Sequence, residues 1–208
     1  MAVRAMSVTD IRSQEDSLRG WTSWRPAALR YAPGVSVIRP YRDEDWAAVW
    51  SILEPVFRAG ETYAYSRDIT EGEARRTWTS SPKEVFVAEV PGTGQILGTY
   101  YLKPNHEGPG AHVCNCGYVV APHARGRGLA ALMCEHSQRE AVPRGFRAMQ
   151  YNLVASSNQA AVHLWQKMGF TIVGSLPGAF AHPTLGYVDA YVMYKPLTSA
   201  ATPLSTPR

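Results

Sequence analysis

The stretch Val119-Val120-Ala121-Pro122-His123-Ala124-Arg125-Gly126-Arg127-Gly128-Leu129-Ala130 decides how this chain is read. Before it, His112 to Val120 forms a mostly apolar run of strand length. After it, Leu129, Leu132, Met133 and His136 keep helical spacing. The order is therefore strand, glycine-bearing loop, helix N-terminus. Such a junction is an anion site, because glycines let the backbone approach closely and unpaired amides converge at the positive end of the helix. Arg125 and Arg127 add charge-assisted donors suited to phosphate. By spacing alone the loop could equally be a tight turn between two arginines. It lacks the Gly-Lys-Ser/Thr end of a P-loop and the third glycine of a dinucleotide fingerprint, so neither nucleotide hydrolysis nor hydride transfer is supported.

Working outward, the chain alternates regularly. Val35 to Arg39 reads as a strand, and Asp43-Glu44-Asp45 opens a helix with acidic residues where its dipole favours them. Trp46, Val49, Trp50 and Leu53 follow at i, i+3, i+4 and i+7, and Pro55 is expected to kink or end that helix. A second helix covers Glu71 to Thr79. Strands at Glu84–Val90 and Gln95–Leu102 flank the turn Pro91-Gly92-Thr93-Gly94. The strand before the loop and the helix after it, Gly128 to Ala141, come next. A strand at Ala148–Val154, a helix at Gln159–Met168 and strands at Thr171–Leu176 and Val188–Tyr194 complete the pattern. Hairpins first and a β-α-β crossover later imply an α/β fold with a mixed sheet and helices on both faces. Residues 1–34 show no clean periodicity and read as an N-terminal arm. Residues 35–197 form one domain, and the Ser/Thr/Pro/Ala-rich stretch 198–208 reads as a disordered tail.

Composition bounds the function. The 208 residues suffice for one domain, and 45% of them are hydrophobic. No apolar run approaches the roughly 20 residues of a membrane span, which gives a soluble reading and no membrane partner. A net charge of +4 with scattered basic residues lacks the dense basic face of a nucleic-acid binder. Three cysteines, two of them as Cys114-x-Cys116, make no tetrahedral metal set and suit a reducing, cytoplasmic setting. No metal is expected.

Arg125-x-x-Gly128-x-Ala130, preceded by Val119-Val120-x-Pro122, resembles the pyrophosphate motif of the GNAT superfamily of acyl-CoA N-acyltransferases. Asn158-x-x-Ala161, opening a helix that closes on Lys167-Met168-Gly169-Phe170, is similar too. The resemblance implies about seven strands with a splayed parallel pair and acetyl-CoA as co-substrate. It assigns the pantetheine arm to the main chain of Tyr118, Val119 and Val120. The pyrophosphate falls to Arg125, Gly126, Arg127, Gly128, Leu129 and Ala130, with Asn158 also near the cofactor.

Asn115 and Asn152 interrupt otherwise apolar strands, and a buried amide is costly unless hydrogen-bonded. Asn158 stands where a helix N-cap is favoured. Each alone can be structural; together they surround the place where the sheet opens. The stretches Leu97 to Asn105, Cys114 to Tyr118, Tyr151 to Val154 and Asn158-Gln159-Ala160 resemble fungal N-acetyltransferases that detoxify proline analogues. That narrower resemblance implies a small amino or imino acid as acceptor. It makes Asn158 and Asn152 catalytic and Asn115 and Asn152 substrate-binding, and it implies a homodimer. Tyr63 lies in the aromatic loop after the first helix, where the superfamily builds its acceptor wall, which makes it a substrate-binding candidate; tyrosines in such a loop can equally face solvent. Many superfamily members carry a tyrosine general acid where this chain has Trp165, and its central strand offers no glutamate base. The expected mechanism is direct attack in a ternary complex, governed by positioning. Two alternatives stand beside it. One is acceptance of a protein N-terminus, polyamine or drug amine; the other is a non-catalytic acyl-CoA-binding module.

Overall fold

The structure is a computed structural model that describes residues 37–198. The expected arm, the start of the first strand and the tail from residue 199 onward lie outside the described residues. Seven strands form one sheet: β1 (Val37–Pro40), β2 (Glu84–Glu89), β3 (Ile96–Pro104), β4 (Val113–Val120), β5 (Ala148–Ala155), β6 (Thr171–His182) and β7 (Gly186–Pro196). Their order is β1-β2-β3-β4-β5-β7-β6, antiparallel throughout except for β4 and β5. Four α-helices, together with short 3-10 turns, lie between the strands: α1 (Trp46–Ala59), α2 (Glu71–Thr79), α3 (Leu129–Ala141) and α4 (Gln159–Lys167).

The helices divide between the two faces because β3 and β4 alternate. Thr99 and Tyr101 point to one face, where Trp78 of α2 donates to the Thr99 hydroxyl at 3.2 Å and stacks edge-on against Tyr101. Phe57 of α1 packs against the same Trp78 ring. Tyr100 and Tyr118 point to the other face, where they bond His136 and Ser137 of α3. Trp165 of α4 lies against Tyr118 and Tyr151 on that face. Cys114 and Cys116 are free, buried thiols.

α1 buries Trp46, Val49, Ile52, Leu53 and Phe57 along one stripe. Each such side chain contributes roughly 1.5–3 kcal/mol of transfer free energy. That stripe explains one correction to the sequence reading. Pro55 does not end α1; the helix continues through it to Ala59, and Gly60 at φ 68° caps it. The turn beyond Pro55 carries the buried Phe57, whose burial offsets much of the cost of an interior proline. The final hairpin also differs. β6 runs past Leu176, where the strand was expected to end, and continues to His182, with irregular pairing between Leu176 and Phe180.

Candidate active site

β4 and β5 run parallel, yet they pair only at Val113↔Ala148 and Cys114↔Met149. One residue further on, the strands part. Asn115 sits in the fork: its Nδ2 donates to the Gln150 carbonyl at 2.8 Å, and its Oδ1 accepts from the Tyr101 hydroxyl at 3.3 Å. A side-chain amide thus takes the place of the next ladder bond, which satisfies the buried backbone while the strands diverge. β5 is irregular on its other edge too, where its pairing with β7 shifts between Tyr151 and Val154.

The parting opens a cavity of about 720 Å³. Both faces of the sheet contribute to its wall: Tyr63, Tyr101, Lys103 and Asn115 from one, Tyr118, Tyr151 and Trp165 from the other. Asn152 and Asn158 also line it, as do Val119, Val120 and Arg125. The three asparagines singled out in the sequence therefore meet in one place.

Their states differ. Asn115 is 7% exposed. Asn152 is exposed and held at both ends, donating to Asn105 Oδ1 at 2.7 Å and accepting from Gln150 Nε2 at 2.9 Å. Asn158 is the N-cap of α4, its Oδ1 accepting from the Ala161 amide at 3.2 Å. That bond uses the acceptor and leaves Nδ2, which has no hydrogen-bond partner among the described residues, as a donor of fixed orientation. Cap and donor are thus two ends of one amide. Tyr63 donates its hydroxyl to the Tyr118 carbonyl at 3.1 Å and stacks on Tyr65, which pins the loop after α1 against β4.

At the far end of β4, a 3-10 turn (Pro122–Ala124) leads into Arg125-Gly126-Arg127-Gly128. Gly126 and Gly128 adopt φ 74° and 80°, a left-handed conformation that other residues enter at a cost. A methyl group at either position would touch nothing within 4 Å, so conformation and not crowding calls for glycine. The amides of Gly126, Arg127 and Gly128 make no hydrogen bond among the described residues. The first amides of α3 are unpaired by helix geometry. No side chain caps α3, and its first turn holds no acidic residue. Exposed Arg125 and Arg127 flank this cluster of donors. The arrangement fits a diphosphate at the mouth and an extended arm between β4 and β5.

Acid and base groups are few. Among the described residues on the cavity wall, Glu61 is the one carboxylate, and it is exposed. Burial, then the neighbouring Cys116 or Cys134 sulfur, pushes the phenols of Tyr118 and Tyr151 well above the usual tyrosine range. They stay protonated and bond each other at 3.2 Å. Sequence reasoning missed Tyr65, Tyr101 and Lys103 as wall residues. The signal was present in the stretch Leu97 to Asn105, where alternation puts Tyr101 and Lys103 on one face. No group of three metal-ligating side chains occurs among the described residues. No helix there is long and apolar enough to cross a membrane.

Comparison with known proteins agrees with this geometry. The acetyltransferase (GNAT) family model matches residues 46–170. N-acetyltransferase aca1 of Schizosaccharomyces pombe is 29% identical over 150 residues, spanning 64% of this chain and 71% of the relative. A GCN5-related N-acetyltransferase from Kribbella flavida is 41% identical with a TM-score of 0.75, covering 79% of this chain and 99% of that one. A phosphinothricin acetyltransferase from Sinorhizobium meliloti, solved in complex with AcCoA, is 18% identical with a TM-score of 0.70. The matched parts are 82% of this chain and 94% of that one, and at such identity the likeness shows the fold alone.

Proposed function

This chain belongs to the acetyltransferase (GNAT) family and is an acetyl-CoA-dependent enzyme, and on that premise we propose that it acetylates the nitrogen of a small amino or imino acid. The observation that carries the acceptor reading is the convergence of Asn115, Asn152 and Asn158 on one cavity beside the aromatic wall of Tyr63, Tyr65 and Tyr101. A largely apolar, aromatic recess with a few placed amide groups supports a compact acceptor whose polar atoms those amides orient.

Acetyl-CoA, when bound, supplies the activated acyl group as a thioester. The unpaired amides from Gly126 into the first turn of α3, with Arg125 and Arg127, would hold its diphosphate. The freed edge of β4 at Tyr118, Val119 and Val120 would hold the arm. Tyr63 already uses one acceptor site on that edge, the Tyr118 carbonyl. Asn158 offers its Nδ2 donor to developing negative charge on oxygen, as an oxyanion donor does. Trp165 has no proton to give at the place where many relatives carry a tyrosine. With Glu61 exposed and the phenols protonated, the wall lacks a strong base facing inward. The acceptor nitrogen therefore arrives neutral or loses its proton to water or a main-chain carbonyl, and positioning supplies most of the acceleration.

The test is release of free thiol from acetyl-CoA across a panel of amines. Azetidine-2-carboxylate, proline and small α-amino acids should give the fastest release. Turnover confined to peptides with free N-termini, polyamines or aminoglycoside-type drugs would replace this acceptor class with another.

A further inference from the structure

Resting on that acceptor reading, we propose that Lys103 binds the carboxylate of the acceptor and so selects amines that carry an acid group close to the reacting nitrogen.

The argument begins with the charges on the cavity wall. Lys103 and Arg125 are its cations among the described residues. They lie at opposite ends of β4: Lys103 pairs with Asn115, whereas Arg125 follows Val120. Five residues of strand separate Asn115 from Val120, roughly 17 Å. Arg125 thus belongs with the diphosphate loop, and Lys103 with the closed end of the fork. Directly paired residues of adjacent strands project to the same face, so the Lys103 stem stands beside Asn115 and Tyr101.

Lys103 is half-buried and makes no ion pair or hydrogen bond among the described residues. Nearby Lys83 is different. Its ammonium bonds the Thr77 carbonyl and lies 4.7 Å from the centroid of the Tyr101 ring. Burial, and then the charge of Lys103, draws Lys83 down from 10.5 to about 8. Two ammonium groups therefore stand near Tyr101, of which Lys103 lines the cavity, and no carboxylate of the described residues pairs with either. Such a positive end is costly on its own and becomes favourable once an anion enters it. The Asn115 amide at the fork sits between that end and the place where the strands part. An α-amino or α-imino acid, with nitrogen and carboxylate separated by one carbon, spans that short distance. A polyamine would meet repulsion there instead.

The experiment compares free acids with their methyl esters. For the wild-type enzyme, kcat/KM is measured with azetidine-2-carboxylate and proline and with their esters, then repeated for Lys103→Gln and Lys103→Arg. A hydrogen-bonded charge pair predicts that Lys103→Gln loses about 10- to 100-fold on the acids, chiefly through KM. The esters should change less than about threefold, and Lys103→Arg should keep most of the acid preference. Equal losses on acid and ester, or no loss on the acid, would overturn the assignment. A second arm needs no acetyl transfer: tetrahydrofuran-2-carboxylate, which has the ring and the acid but no amine, is titrated against tryptophan fluorescence. Binding that Lys103→Gln abolishes and Lys103→Arg retains supports the carboxylate site even if the panel finds another acceptor amine. Absence of binding to the wild-type enzyme overturns it.

Discussion

Asn158 shows how one side chain can serve structure and chemistry at once. Its Oδ1 caps α4 through the Ala161 amide, which turns Nδ2 toward use as a donor. Asn158→Ala removes both functions and should lower kcat about 100-fold, with roughly 1 kcal/mol lost from stability. Asn158→Asp keeps the cap and removes the donor. If the donor matters, Asp should be as slow as Ala in steady-state assays while melting close to wild type; a fast Asp variant would leave Asn158 as a cap alone. Gly117 makes a second residue-scale case. A Cβ there would stand 2.7 Å from Tyr101 Cε1, and the Tyr101 ring is itself buried. Gly117→Ala must therefore shift the ring that bonds Asn115, at about 1–3 kcal/mol of strain. The expected result is a raised KM for the amine with the KM for acetyl-CoA nearly unchanged.

At the scale of elements, the junction of β4 and α3 is the part most open to direct test. Its glycines are needed for φ and not for space, so Gly128→Ala acts by strain of about 1–2 kcal/mol in the left-handed region. The loop would relieve that strain by turning its amides away from their common focus. Gly128→Ala should raise the KM for acetyl-CoA at least tenfold, and Gly128→Asn, which tolerates this conformation better, should recover part of it. Much of this junction was legible beforehand, since a strand, a glycine loop and a helical repeat are local patterns. The end of α1 was not. Pro55 is a local stop signal, and the burial of Phe57 two residues later lies outside what that local signal can report. The length of β6 escaped for the same reason, because pairing with β7 is a long-range property.

For the whole molecule, the Arg39–Asp45 pair joins the sheet edge to the start of α1. Arg39 of β1 makes two bonds to the Asp45 carboxylate, at 2.7 and 2.8 Å, and a third at 2.5 Å to Glu89 of β2. The Arg39 guanidinium, against a smaller opposing effect of burial, holds the Asp45 carboxyl below its ordinary 3.8. Its stabilising effect is therefore complete above that value and is lost as pH falls through the lower, folded-state value. Asp45→Asn should cost about 2 kcal/mol at pH 7 by urea denaturation. The deficit should persist at pH 5 and shrink as the pH falls below 3.8 toward the lower folded-state value. A deficit independent of pH would assign Asp45 a packing role only.

Taken alone, the sequence determined the order of elements, the strand-loop-helix junction with its glycines and arginines from Arg125 to Ala130, and the three asparagines worth attention. These are local, because periodicity, capping and glycine conformation act over a few residues. Tertiary structure decided where the asparagines stand and what each bonds. It showed that Asn115 closes the fork, that Asn152 is held between Asn105 and Gln150, and that Asn158 caps a helix while keeping a donor free. It also brought Lys103 to the cavity wall. These relations arise where β4 and β5 part after two paired residues, and such a break depends on the packing of both faces at once. No stretch of a few residues encodes that.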